Sequence, residues 1–199
     1  MIKPVTPTRF GIVLALTAAA FVACGSPGSK AKSTSAMVAA APGGAATAVM
    51  ISYSGSDKIL ASDAAAKTVT VNLIAGQGAA AKGFNFNGYS NGDMHIQVPT
   101  GWRVKVSMID ESNTPHSALI VPWEERQGGA LHAAFAHSAP ADFRSGIEKG
   151  DDPQKFTFTA DKAGEYAIVC GVPGHIDAGM WDAFDVVDNL AAPQVLAKQ

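Results

Sequence analysis

Cys170, His175 and Met180 lie at equal intervals in the stretch from Cys170 to Trp181, with four residues between each and the next. They offer a thiol, an imidazole and a thioether. A thiolate and an imidazole suit copper, and a thioether adds a soft, weak ligand that tolerates Cu(I). The stretch is rich in glycine and contains Pro173, so it is expected to be a loop rather than a helix. Such a loop can fold back and aim all three side chains at one point. Upstream, Thr114-Pro115-His116-Ser117 supplies a second imidazole. Two His, one Cys and a distant Met make the ligand set of a blue-copper site.

Three segments carry a resemblance: Phe84-Asn85-Phe86-Asn87-Gly88, Pro115-His116-Ser117, and Cys170 through Trp181. On them the chain resembles the cupredoxins, most specifically the sulfocyanin family. The loop spacing is also similar to that of rusticyanins and auracyanins. The likeness runs from about Ala48 to Asp188. It implies a Greek-key β-sandwich and one copper ion held by His116, Cys170, His175 and Met180. It also implies that His175 is the ligand nearest the surface, its edge serving as the electron's port. Many cupredoxins carry Asn after the first His ligand; here the residue is Ser117, as in the rusticyanin pattern.

Each residue also has a plainer reading. A lone buried Cys is usually an inert small hydrophobe, but Cys170 ends a β-rich run and is followed by His and Met at loop spacing. A Met before a Trp is more often core, yet Gly179 and the Cys-His-Met order favour a ligand at Met180. Pro115 fixes how the chain reaches His116. Ser117 is either a satisfied strand serine or a donor to the Cys170 sulfur, tuning its electron density. Phe84, Phe86, Trp102 and Trp181 read as core or metal-shell residues, with Trp181 placed to shield copper from water. Val172, Pro173 and Ile176 around His175 are suited to brief encounters with a redox partner. His132 and His137 are five apart, off one helical face, and read as surface residues. His95 is expected on the solvent face of its strand.

The chain has 199 residues, 47% of them hydrophobic and 16% charged, with a formal net charge of -2. That supports a real core and argues against a nucleic-acid binder, since no basic run or basic-aromatic patch is present. Residues 1 to 24 read as an export signal: Lys3 and Arg9, then an apolar run from Gly11 to Ala23, too short to span a bilayer comfortably. The run ends in Phe21-Val22-Ala23-Cys24, which resembles a bacterial lipobox with Phe21 in place of the usual Leu. Cys24 is therefore the expected lipidation site, and an ordinary cleaved signal or an uncleaved anchor is the alternative. A Cys24–Cys170 disulfide is disfavoured, because the two serve a targeting segment and a ligand loop. Residues 25 to 47 are low-complexity Gly, Ser, Ala, Pro and Lys, and are expected to be a flexible tether.

The expected organisation places the sandwich at 48–190 and a C-terminal tail at 191–199. Thr68–Leu73, Phe84–Asn87, Met94–Val98, Trp102–Met108, His116–Val121, Lys155–Thr159, Glu165–Cys170 and Ala183–Val187 read as strands, about eight in all. Leu131, Ala134 and Phe135 lie at helical spacing, so a helix and loop are expected within 124–150, inserted before the Cys-bearing strand.

The function these features favour is a one-electron carrier outside the cytoplasm, on a lipid anchor. Its expected partners are redox proteins such as a cytochrome or a terminal oxidase, with no nucleic acid and no small-molecule substrate. A copper oxidase or reductase would need further copper centres, usually signalled by His-x-His pairs, and the sequence has none. A storage or delivery protein would cluster several Met or His; Met94, Met108 and Met180 are far apart in sequence. A tethered sandwich that binds no metal is the remaining alternative.

Overall fold

The computed structural model describes residues 51–52 and 56–198. The expected signal, Cys24 and the tether lie outside the described residues. All described residues belong to one compact unit.

Alternation dictates the strands. In β5 (Trp102–Asp110) Trp102, Val104, Val106 and Met108 are buried, whereas Arg103 and Lys105 are exposed. Side chains alternate faces along a strand, so this pattern buries one face and wets the other. β3 (Thr68–Ala75) does the same with Val69, Val71, Leu73 and Ala75. The remaining strands are β1 (Ile51–Ser52), β2 (Leu60–Asp63), β4 (Met94–Pro99), β6 (Leu119–Pro122), β7 (Gln154–Ala160), β8 (Gly164–Val169), β9 (Trp181–Val187) and β10 (Gln194–Ala197).

They form two sheets, one ordered β1-β10-β4-β9-β8-β6 and the other β2-β3-β5-β7. The β3–β5 and β4–β9 pairs are parallel and the rest antiparallel. The two inner faces meet in a core that includes Phe86, Met94, Ile96, Ile120, Phe158, Ile168 and Phe184. Fully burying an aromatic or aliphatic side chain of this kind stabilises by roughly 1.5–3 kcal/mol. A second, smaller cluster of Leu119, Val121, Ala167 and Val169 faces outward from the larger sheet, covered by Trp123, Leu131, Phe143, Ile176 and Trp181.

The expected all-β sandwich is therefore present, with ten strands among the described residues rather than about eight, and four details differ. Residues 194–197, read as part of a tail, pair with β4 and with β1. Phe84–Asn87 is not a strand: Asn87 and Gly88 both have positive φ, and Phe86 and Tyr89 exchange backbone hydrogen bonds across a tight turn. His116 precedes β6 and pairs in an isolated bridge with Ile147. The helix expected within 124–150 is absent; that segment begins with a 3-10 turn at Trp123–Gln127 and then runs as turns and irregular chain.

The physical reason for the last difference is the free edge of β6. Its unpaired backbone groups need partners. Ala134 N–H donates to Ile120 O, Ile120 N–H donates to Ser138 O, and the Ser138 hydroxyl donates to Ile120 O. Residues that would have bonded along their own helix are used to cover the sheet. Phe135 is then carried into the core, stacked on Phe158 with centroids 5.2 Å apart.

Candidate metal centre

Cys170 and Met180 stand opposite each other at the base of one hairpin. β8 and β9 pair in antiparallel register as far as Val169↔Trp181. One further rung, Cys170 N–H to Met180 O at 3.1 Å, brings the two residues face to face across the ladder. Directly opposed residues project to the same face, here the core face, and both side chains are fully buried. Between them the loop closes on itself. Ala178 N–H donates to Gly174 O, Gly179 N–H to Ile176 O, and Met180 N–H to His175 O at 2.9 Å. Gly179 turns the chain at φ +94, and a Cβ there would meet the Asn91 side chain at 2.5 Å. Asn91 N–H in turn donates to Gly179 O, so the 88–92 turn clamps the loop.

His116 is delivered from the other side of the site. His116 N–H donates to Ile147 O, and Ile147 N–H returns to His116 O at 2.8 Å. Gly146, at φ +74, lets that partner approach: a Cβ there would lie 2.6 Å from His116 O. The glycine is required twice, for its backbone conformation and for the missing side chain.

The three strongest donors converge. His116 Nδ1 and His175 Nδ1 are 3.1 Å apart, Cys170 Sγ lies 3.3 Å from His175 Nδ1, and it lies 3.9 Å from His116 Nδ1. The point equidistant from those atoms is about 2.0 Å from each. Bonds from imidazole nitrogen to zinc, a divalent ion of the same row as copper, are about 2.0–2.1 Å, and thiolate bonds about 2.3 Å. The triangle thus has the size of a trigonal metal site. His116, Cys170 and His175 are the group among the described residues whose donor atoms can hold an ion. With Met180 buried in the same core, the donor set fits a type 1 copper site.

Electrostatics keep protons off the two imidazoles but not off the thiol. Burial lowers the His116 pKa, although the buried Asp110 carboxylate opposes the effect. Burial first, and His116 second, pulls His175 down to about 4. Both imidazoles are therefore neutral near pH 7, with a lone pair for a metal. Burial raises the Cys170 thiol, opposed by hydrogen bonds from the Ser117 and Val172 N–H groups. A metal bound there must displace the thiol proton.

The remaining residues divide. Ser117 is fully buried beside the sulfur, but its hydroxyl donates to Phe143 O at 2.6 Å and accepts from Gly171 N–H at 2.9 Å. Its contact with Cys170 Sγ is 3.9 Å, whereas Ser117 N–H reaches the sulfur at 3.4 Å. The Ser117 N–H is the sulfur's closer donor, and the hydroxyl hydrogen is spent on Phe143 O. His175 is only 7% exposed, so the expected exposed edge is nearly closed. Trp181 does not join the ligands. It packs in the outer cluster, edge-on to Trp123 at 5.9 Å and against Gly92. Pro115 is half-buried at the turn before His116. His95 is half-buried, 3.6 Å from Asp185, and His132 bonds Glu125 at 2.7 Å; neither belongs to the group of donors that can hold an ion. Phe143, Gly146 and Ile147, which position Ser117 and His116, carry no motif and were not legible as site residues.

The chain is similar to several known proteins. Residues 55–197 match the family described as Sulfocyanin (SoxE) domain. Sulfocyanin of Sulfolobus acidocaldarius is 29% identical over 136 residues, which cover 64% of this chain and 67% of that protein. Reduced auracyanin from Roseiflexus castenholzii is 21% identical over 59% of this chain and 96% of its own, with a TM-score of 0.40. Copper nitrite reductase from Nitrosomonas europaea is 26% identical over 62% of this chain and 43% of its own, with a TM-score of 0.45. With a buried His-Cys-His triangle of copper-site size and a family match over most of its length, the chain belongs to the sulfocyanin family of blue copper cupredoxins.

Proposed function

We propose that this protein is a one-electron carrier, with His116, Cys170, His175 and Met180 as its copper ligands. The observation that carries the reading is the buried triangle of two Nδ1 atoms and one Sγ, with Met180 in the same core. Copper bound there supplies a couple between Cu(II) and Cu(I). The protein's part is to keep the donors in place in both states. Cys170 contributes a thiolate from the rigid base of a hairpin, backed by the Ser117 N–H. His116 is tied by two backbone bonds to Ile147, and His175 by its carbonyl to Met180 N–H. Donors held this way need move little when charge changes, which suits electron transfer rather than substrate turnover. The lack of a His-x-His pair argues in the same direction, against a multicopper oxidase or reductase.

The cellular setting belongs to the same proposal. The apolar run ending at Ala23-Cys24, followed by the Gly/Ser/Ala-rich 25–47, supports a lipid-anchored domain outside the cytoplasm. The tether lets it swing between redox proteins of a membrane-bound respiratory chain, such as a cytochrome and a terminal oxidase. The apolar residues Val172, Pro173 and Ile176 flank His175 and suit brief docking.

The experiment is a visible spectrum of the copper-loaded, oxidised domain beside Cys170→Ser. Wild type should take up one copper and show an intense visible band; Cys170→Ser should fold, by circular dichroism, and lose it. A wild type that folds, binds copper and stays colourless when oxidised sinks the carrier reading. For the anchor, intact mass of the membrane-extracted protein should show an acylated chain beginning at Cys24; a mature chain cut elsewhere without acyl groups would refute it.

A further inference from the structure

The segment Phe84-Asn85-Phe86-Asn87-Gly88 carries part of the family resemblance, but nothing in the copper chemistry derived above needs it. The structure shows where it goes. The Phe84 ring lies nearly perpendicular to both ligand imidazoles. Its centroid is 4.8 Å from that of His175, at 75°, and 6.1 Å from that of His116, at 85°. Edge-to-face contacts of this kind are favourable and directional. Phe84 is itself half-buried and packs against the edge of the core.

The rest of the segment holds that ring in place. Asn85 is fully buried; its Nδ2 donates to Ala80 O at 2.7 Å and its Oδ1 accepts from Gly88 N–H at 2.9 Å. Asn85 O accepts from Gly76 N–H at 3.1 Å. Phe86 is fully buried in the core. Asn87 is bonded to the end of β3 by three contacts: its N–H to Ile74 O, Ile74 N–H to its Oδ1, and its Nδ2 to Asn72 O. Side chains that could have faced water are spent on a rigid frame, and the one residue it leaves free to touch the ligands is Phe84.

His175 sets the requirement. Its neighbours Pro173, Gly174, Asp177 and Ala178 are exposed, yet His175 is only 7% exposed. A side chain on an exposed loop stays dry only if something from elsewhere in the fold covers it; the rings in contact with His175 are that of its fellow donor His116 and the phenyl ring of Phe84.

We propose that Phe84 is a positioning residue of the copper site: it covers the two imidazoles, fixes their ring orientation and keeps water from His175. The apolar shell around a metal site controls solvent access and hence redox potential. Water at the ligands favours the more highly charged Cu(II), so removing the cover lowers the potential. The redox half of this inference rests on the copper-carrier reading; the solvent-access half does not.

The test therefore has two arms. In metal-free protein, deuterium exchange at the imidazole C2–H of each histidine, read by mass spectrometry, reports water access without copper. Phe84→Ala should speed exchange at His175 by about fivefold or more and leave His95 and His137 unchanged, while Phe84→Leu, which keeps apolar bulk, should restore most of the protection. In copper-loaded protein, Phe84→Ala should lower the ratio of Cu(I) to Cu(II) affinity by about tenfold, equivalent to about 59 mV in the midpoint for one electron. If Phe84→Ala does not fold, Phe84→Val carries both arms. Unchanged exchange at His175 overturns the proposal, and so does faster exchange with an unchanged midpoint. A wild type without a blue site would defeat the carrier reading, and the metal-free exchange would then decide the cover by itself.

Discussion

Ser117→Ala separates two ways of tuning the Cys170 sulfur. The hydroxyl has one hydrogen, and Phe143 O at 2.6 Å takes it in preference to a sulfur at 3.9 Å. Its oxygen also satisfies the buried Gly171 N–H. Removing it strands that N–H, at a cost of about 1–3 kcal/mol, and forfeits the net worth of the bond to Phe143 O, about 0.5–1.5 kcal/mol. The expected loss is therefore about 1.5–4.5 kcal/mol, a large fraction of a typical domain's stability. For a domain of this size it lowers Tm by about 10 °C. The Ser117 N–H contact to Cys170 Sγ survives, because the substitution leaves the backbone intact. Thermal and urea unfolding of the metal-free protein should show the loss, while the visible band of the copper-loaded variant keeps its position. Wild-type stability with a shifted band would mean that the hydroxyl serves the sulfur after all, and the bonding assigned here would be wrong.

Other consequences can be measured on the same material. Met180→Leu should keep a coloured site and raise its potential, because a donor to Cu(II) is lost, while Met180→Gln should lower it; a midpoint that moves in neither variant places Met180 away from copper. Gly146→Ala should destabilise the domain by more than 1 kcal/mol and weaken copper uptake, since its Cβ would press on the His116 backbone from a strained φ; a variant that unfolds and loads like wild type refutes that packing. The metal-free domain should lose stability as pH falls from 6.5 to about 4, where the unfolded chain takes up a proton that folded His175 refuses. The loss should reach about 3 kcal/mol. Bound copper should move it to lower pH, and a flat stability profile across that window in the metal-free domain would contradict the burial of His175.

The sequence was informative wherever one local rule governed the outcome. Strict alternation made β3, β4, β5 and β7 legible, because a strand with one buried face must show period two. The donor types and the even spacing of Cys170, His175 and Met180 specified a metal, since the loop that carries them is closed largely by its own backbone bonds and the β8–β9 hairpin. Long-range choices were not written locally. Leu131, Ala134 and Phe135 have helical spacing, but the free edge of β6 claimed the backbone groups of Ala134 and Ser138. Residues 194–197 looked like a tail until β4 offered an edge to pair with. Trp181 is next to Met180 in the chain, yet strand alternation turns it to the opposite face of the sheet, and Phe84, more than eighty residues upstream, is the ring that meets the imidazoles. The chain alone determined which atoms can bind copper. Which side chains cover those atoms, which donor reaches the sulfur and how dry His175 stays were decided by packing between segments far apart in sequence, and residue spacing carries no record of it.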